Sequence, residues 1–191
     1  QPDERKELPR KRLPRSCCPP YNRAMNASVL NLELVALAQR AVDENRRAGR
    51  TFALAESCTG GLVSAAITEI PGSSEVFEAS FVTYSNEIKQ NLLKVSQDVL
   101  ETFGSVSIAT AWGMAQGALA NTHAHVAVAI TGIAGPGGGT PMKPVGTVHI
   151  ACARENKAVL HEACYFGDIG RHEVRMATIE AALNMIRQQI P

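Results

Sequence analysis

The stretch HVAVAIT, residues 125–131, constrains the fold more than any other part of the chain. It is short, apolar between His125 and Thr131 and rich in valine and isoleucine, the composition of a central strand with both faces covered. It runs directly into GIAGPGGGTPMKP, residues 132–144, whose glycines and prolines permit no regular element. The chain must therefore build a sheet around this strand and leave a glycine-rich loop at its end.

The flanking patterns supply the rest of the layers. Leu30, Leu34, Leu37 and Ala41 recur at helical spacing, which predicts a helix from Ser28 to about Ala48 with Gly49 as its stop. A short strand follows at Phe52–Ala55, then LVSAAITEI as a buried helix that begins around Gly60 and Gly61 and ends before Pro71. VFEASFVTY, residues 76–84, is a strand, and Ser85 or Asn86 caps a helix with Glu87 in its first turn. Ser96 caps a short helix ending at Gly104, and Ser107 a longer one through Ala120. VGTVHIACA and AVLHEACYF form a hairpin through RENK, and Val174, Ala177, Ala181, Met185 and Ile186 mark one face of a closing helix. Together these predict an α/β fold, a single-domain layered α/β sandwich whose mixed sheet carries an antiparallel pair at one side.

Composition narrows the function classes. With 191 residues and 45% hydrophobic content, the chain can bury one good core. Residues 1–24 hold half of the ten prolines and seven Lys/Arg against three Asp/Glu, so they read as a disordered basic tail or linker, with the domain spanning residues 25–191. The remainder has twelve Lys/Arg against fifteen Asp/Glu, which gives no nucleic-acid footprint. Cys17, Cys18, Cys58, Cys152 and Cys164 are odd in number and lack CxxC or Cys/His spacing, which favours neither a disulfide framework nor a metal site and fits a reducing cytoplasm. No apolar run has the roughly 18 to 20 residues that a membrane helix needs, so a soluble protein without membrane contact is expected.

Residues 55–61, AESCTGG, put Ser57, Cys58 and Thr59 ahead of two glycines at a strand-to-helix turn. Ser57 beside bare backbone N–H groups suits acyl transfer, yet serine and threonine are also preferred helix caps, and the heptapeptide alone fits a cap better. Cys58 is a rival nucleophile with no histidine near it in sequence. YSNEIK offers a base: Lys89, if burial keeps it neutral, can accept a serine proton, and Tyr84 can orient it or pass the proton on. An exposed lysine on an amphipathic helix and a tyrosine at a strand end explain the same spacing. The loop after residue 131 is neither a P-loop nor a dinucleotide fingerprint, and its five glycines suit either a small-anion site or a plain connection. Arg171 and Arg175 near Asp168 and Glu173 match the ordinary charge pattern of a helix start, with either arginine able to reach a phosphate.

Taken together and in order, AESCTGG, PGSSEVFEASFVTYSNEIK, GSVS, ITGIAGP, KPVGTV and FGDIGRHEVR resemble the C-terminal domain of the competence/damage-inducible CinA proteins, over about residues 28–188. That family includes the standalone bacterial nicotinamide-nucleotide amidases. The resemblance implies hydrolysis of nicotinamide mononucleotide to nicotinate mononucleotide and ammonia in pyridine-nucleotide recycling, without metal or other cofactor, by a homodimer. It implies Ser57 as nucleophile, Lys89 as general base and Tyr84 as proton-transfer partner. Thr59, Gly60 and Gly61 would offer backbone donors, Asn86 would position the amide, and the 131–139 segment, including Thr131, Gly132, Gly135, Gly137 and Gly138, would line the pocket. Two features depart from the family pattern. Ile169 and Gly170 separate Asp168 from Arg171 where Gly-Asp-Arg is usual, and the N-terminal nucleotide-processing domain has no match, so its pyrophosphatase activity is not expected here. A nucleotide-binding module without turnover, or a hydrolase of another amide, uses the same residues.

Overall fold

The computed structural model describes residues 30–155 and 157–189. The expected tail over 1–24, the domain start at Met25, the helix start at Ser28 and Asn156 in the predicted hairpin connection lie outside the described residues. Along the chain the elements are α1 (Leu32–Arg47), β1 (Phe52–Glu56), α2 (Leu62–Thr68), a 3-10 turn (Ser73–Glu75), β2 (Phe77–Val82), α3 (Asn86–Leu93), α4 (Gln97–Phe103), α5 (Ile108–Ala120), β3 (Val126–Gly132), β4 (Thr147–Arg154), β5 (Leu160–Tyr165) and α6 (Arg171–Gln188). Polar caps start several helices. Asn31 Oδ1 accepts the Leu34 N–H at 2.8 Å, Ser85 Oγ that of Ile88 at 3.2 Å and Ser107 Oγ that of Thr110 at 3.1 Å.

The five strands form one mixed sheet in the order β2-β1-β3-β4-β5. β1 runs parallel to both β2 and β3, whereas β3–β4 and β4–β5 are antiparallel. HVAVAIT is thus the middle strand, with Val128 opposite Leu54 on one side and Cys152 on the other. From β1 the chain departs towards β2, and from β3 it departs towards β4 on the opposite side. The crevice outside the carboxyl ends of β1 and β3 is therefore a topological switch point, where ligands bind open α/β sheets. AESCTGG and the glycine-rich loop both emerge there.

The two faces of the sheet differ in side-chain size. Phe52, Leu54, Val126, Val128, Ile130, Val148, Ile150 and Cys152 face α1, α2 and α6. Ala53, Ala55, Ala127, Ala129, Ala151 and Ala153 face α3, α4 and α5. Fully burying one of the large residues contributes about 1.5–3 kcal/mol, so most of the apolar driving force lies on the first face. The alanine face instead allows close approach. α5 also nests against α3, and a Cβ added at Gly117 would lie 2.0 Å from the Leu93 carbonyl oxygen.

On the larger face, α1 buries Leu34, Leu37, Ala38, Ala41 and Val42 and is clamped to α6 by Arg187, whose Nε and Nη2 each donate at 2.9 Å to Glu44. The inner face of α6 differs from the expected one. Val174, Met185 and Ile186 are buried as anticipated, but Ala177 and Ala181 are only half-buried, and Thr178, Ile179, Ala182 and Leu183 complete the core face. The buried Thr178 hydroxyl donates to the Val174 carbonyl at 2.6 Å, so a polar residue sits in this face without an unmet hydrogen bond.

Candidate active site

β1 ends in Glu56, and the next five residues turn the chain into α2. Gly60 and Gly61 have φ of +61° and +93°, while a Cβ at either would meet nothing closer than 3.6 Å. Backbone conformation, not crowding, calls for glycine here. Glu56 is fully buried, and its carboxylate caps α2: Oε2 accepts the N–H groups of Gly61 at 3.0 Å and Val63 at 3.2 Å, and Oε1 accepts the Ser64 N–H at 2.9 Å and the Ser64 hydroxyl. The positive end of α2 is met from within the chain.

This cap frees Ser57. Its N–H extends the sheet by donating to the Ile130 carbonyl at 3.0 Å, its carbonyl accepts the Gly60 N–H at 3.1 Å, and its hydroxyl caps nothing. Oγ instead meets Lys89 Nζ at 3.2 Å. Lys89 lies one turn into α3, on the inward side that also carries Leu93, and is 1% exposed. Nζ also lies 2.8 Å from the Thr83 carbonyl and 3.5 Å from that of Tyr84. No carboxylate pairs with it among the described residues, and desolvation lowers its pKa below the ordinary 10.5, with the Cys58 sulfur opposing. A neutral lysine has two N–H donors and one lone pair. The two carbonyls can take both donors, and the lone pair then faces the Ser57 hydroxyl.

Cys58 is 7% exposed, and desolvation pushes its thiol up to about 12, with Glu56 adding to the rise and nearby N–H groups and Arg175 opposing it. It stays protonated near neutrality and is a poor nucleophile there. His149 and His161 line no part of the cleft around Ser57, so no thiol–imidazole pair forms in it.

That cleft, about 170 Å³, is lined by Ser57, Cys58, Tyr84 and Lys89 together with Ser105, Val106, Thr131, Gly132, Ala134 and Arg171. A second chamber of about 390 Å³ shares Ser105, Val106, Gly132, Ala134 and Arg171 with it and extends along Gly135, Gly137 and Gly138 to Thr140 and Lys143. Thr131 is buried and donates from Oγ1 to the Ser105 carbonyl at 2.7 Å, which ties β3 to the α4–α5 connection.

Several expected site residues take other places. The Gly60 and Gly61 N–H groups are consumed by the Ser57 carbonyl and the Glu56 carboxylate, so neither is free for a ligand. Thr59 is fully buried outside the cleft, with its carbonyl accepting from Arg175 at 2.9 Å. Asn86 is exposed at the first position of α3 and lines neither chamber, because Ser85 takes the cap. The Tyr84 phenol bonds to neither Ser57 nor Lys89; its partner is Arg171 at 3.3 Å. Glu56 and the lining residues Gly104, Ser105, Val106, Thr140 and Lys143 are not among the site residues expected from the sequence. Arg171, whose place in the sequence fits helix-start charge and also lets it reach a phosphate, donates to the Gly135 carbonyl at 2.9 Å and lines both chambers.

A three-layer α/β domain with a serine–lysine pair at the switch point of a mixed sheet is thus the class of protein in hand. Residues 34–190 match the model of the CinA C-terminal domain, and the chain belongs to that family. It is 49% identical to a competence/damage inducible protein of known structure from Agrobacterium tumefaciens, with a TM-score of 0.81 over 83% of this chain and 96% of that one. A CinA superfamily protein from Escherichia coli is 30% identical, with a TM-score of 0.77 over 81% and 89% of the two chains. Among curated relatives, a putative competence-damage inducible protein of Caldicellulosiruptor bescii is 48% identical over 137 residues, 72% of this chain and 33% of its own length. A CinA-like protein of Endomicrobium trichonymphae is 44% identical over 160 residues, 84% of this chain and 36% of the relative. The chain therefore spans about a third of these curated relatives. No helix among the described residues is long and apolar enough to cross a membrane.

Proposed function

We propose that the domain is an amidohydrolase that converts nicotinamide mononucleotide to nicotinate mononucleotide and ammonia through Ser57 and Lys89. The observation that carries the reading is a buried lysine with no counter-ion among the described residues, its Nζ 3.2 Å from a serine hydroxyl that lines the cleft. The choice of substrate rests on the family resemblance.

In this mechanism Ser57 Oγ attacks the carboxamide carbon while its proton passes to Lys89 Nζ. The oxyanion of the tetrahedral intermediate is met by the Cys58 N–H, because Cys58 lines the cleft and its N–H serves no oxygen acceptor among the described residues. Lys89 then gives the proton to the amide nitrogen, the C–N bond breaks, ammonia leaves and an ester on Ser57 remains. Water attacks the ester carbon, Lys89 takes a proton from it and returns one to Ser57 Oγ, and the carboxylate departs. Tyr84 works at the cleft mouth, where its carbonyl helps hold Lys89 and its phenol holds Arg171.

The test is ammonia release from the mononucleotide in the presence of a chelator. Ser57→Ala and Lys89→Met are each expected to lower kcat by about 10³-fold or more. Full activity of Ser57→Ala sinks the mechanism, and calorimetric binding of the mononucleotide with no ammonia at long times makes the domain a binding module.

A further inference from the structure

We propose that Arg175 is a positioning residue for the nucleophile: from α6 it holds the Thr59 carbonyl, and so keeps the turn over residues 57–61 in the arrangement that points Ser57 Oγ at Lys89. Its effect on turnover rests on the amidohydrolase reading; its hold on the turn rests on geometry alone. Gly60 and Gly61 both have positive φ, and two consecutive glycines leave other backbone states nearly as accessible. Thr59 Oγ1 is buried and bonds to nothing among the described residues, so that side chain does not fasten the turn. Glu56 grips only the α2 side, from Gly61 onward. The link back to Ser57 is the Thr59–Gly60 peptide. Its N–H donates to the Ser57 carbonyl at 3.1 Å, and its oxygen accepts the Leu62 N–H at 3.3 Å and Arg175 Nη2 at 2.9 Å. Among the described residues, Arg175 is the one side chain from outside residues 56–64 that bonds to the backbone of the turn. Without it, Ser57 is fixed firmly only through its N–H to β3 and can pivot about that bond.

Arg175 lines neither chamber, so it acts through the turn and not on a ligand. Its guanidinium lies against the turn itself, with Nη2 3.7 Å from the point a Cβ on Gly60 would occupy. It has no carboxylate partner: among the described residues the ion pairs are Arg46 with Asp43 and Glu75, and Arg187 with Glu44. Nε is buried and makes no hydrogen bond among the described residues. An arginine kept for stability gains more from a carboxylate facing its fork, and an unmet buried donor costs stability. Costs of that kind concentrate where function requires them. Arg171 stands one turn earlier on the same side of α6 and donates to the Gly135 carbonyl. The two arginines thus fasten, from one helix, the two chain segments that leave β1 and β3.

The experiment compares the parent, Arg175→Met and Arg175→Lys in ammonia release from nicotinamide mononucleotide and in backbone amide exchange followed by NMR. In Arg175→Met, kcat is expected to fall about 10- to 100-fold with KM within about twofold, because a displaced nucleophile loses rate and not substrate contacts. Arg175→Lys can still donate to the Thr59 carbonyl and should lose only about 3- to 10-fold in kcat. A methionine variant with kcat within about twofold of the parent, or one that raises KM and keeps kcat, overturns the positioning role. Exchange at Gly60 and Leu62 should quicken about 10-fold or more in Arg175→Met, the value of one hydrogen bond to a charged group, while Val128 in β3 exchanges as in the parent. Unchanged exchange at Gly60 and Leu62 refutes the hold on the turn, whether or not the parent releases ammonia. A parent that releases none, with exchange altered in the variant, defeats the amidohydrolase reading and upholds the hold. Thermal melting sets an assay temperature at which each variant is folded; where Arg175→Met is not, the smaller loss in Arg175→Lys decides.

Discussion

Replacing Glu56 by alanine removes the acceptor for three backbone N–H groups and one hydroxyl at the start of α2. The penalty differs among them. Val63 is buried and its N–H would stay unmet, whereas Gly61 and Ser64 are half-buried and recover some hydration. An unmet buried donor costs about 1–3 kcal/mol, and loss of a helix cap about 0.5–2 kcal/mol. Removing a fully buried carboxylate returns part of that through relief of its own desolvation, so a net loss of about 3 kcal/mol is expected. For a domain of this size it corresponds to a fall in Tm of about 6–12 °C. Glu56→Gln keeps one accepting oxygen and lets the Ser64 hydroxyl turn to accept from the new amide, so about 1–2 kcal/mol is expected. Urea unfolding followed by circular dichroism measures both. Glu56→Ala within about 0.5 kcal/mol of the parent would refute the capping argument.

Lys89→Met should abolish ammonia release yet leave the unfolding free energy at pH 7 within about 1 kcal/mol of the parent or above it, because a buried lysine without a counter-ion costs stability. The sign follows from its lowered pKa. The cost is absent above the ordinary lysine value of 10.5 and grows as pH falls towards the folded value, so the variant's relative advantage should shrink as pH rises. In the parent, kcat/KM should climb with pH through that same folded value, as Lys89 loses its proton; a flat profile in a chemistry-limited assay would exclude it as the base. Cys58 should react with iodoacetamide about 10³-fold more slowly than a free thiol at pH 8, read by mass spectrometry, given a thiol pushed up to about 12. Gly117→Ala drives a methyl into the Leu93 carbonyl and should destabilise by about 1–3 kcal/mol or more in denaturant unfolding.

Much of the fold could be read from punctuation. Ser107 starts the helix it was expected to start, Ser85 is the one of the two expected caps, Ser85 or Asn86, that starts α3, HVAVAIT is the central strand, and VGTVHIACA and AVLHEACYF supply the antiparallel β4–β5 pair. Local signals of this kind report neighbours along the chain. The α6 face was less legible because α6 packs on both the sheet and α1, which spreads burial over more positions than a single stripe and includes Thr178. In the site, Glu56 was hidden because its partners lie five to eight residues downstream, across a turn, whereas the familiar capping box reaches backwards over three. A carboxylate at the strand end, four residues ahead of the Gly-Gly pair, was the available signal. The Tyr84–Arg171 contact joins residues 87 apart and had no local trace.

The unequal faces of the sheet have a consequence for how this domain can diverge. Along β1 and β3, consecutive residues point to layers with opposite size limits: Leu54 and Val128 leave a void if shortened, while Ala55 and Ala129 admit nothing larger without moving a helix. A saturation-mutagenesis profile should therefore alternate, one position tolerating only bulk and the next only smallness. Drift on the two sides would then follow separate rules. The helices behind the large residues can exchange one aliphatic for another, whereas the layer that carries Lys89 is held at a fixed standoff from Ser57 by a row of methyl groups.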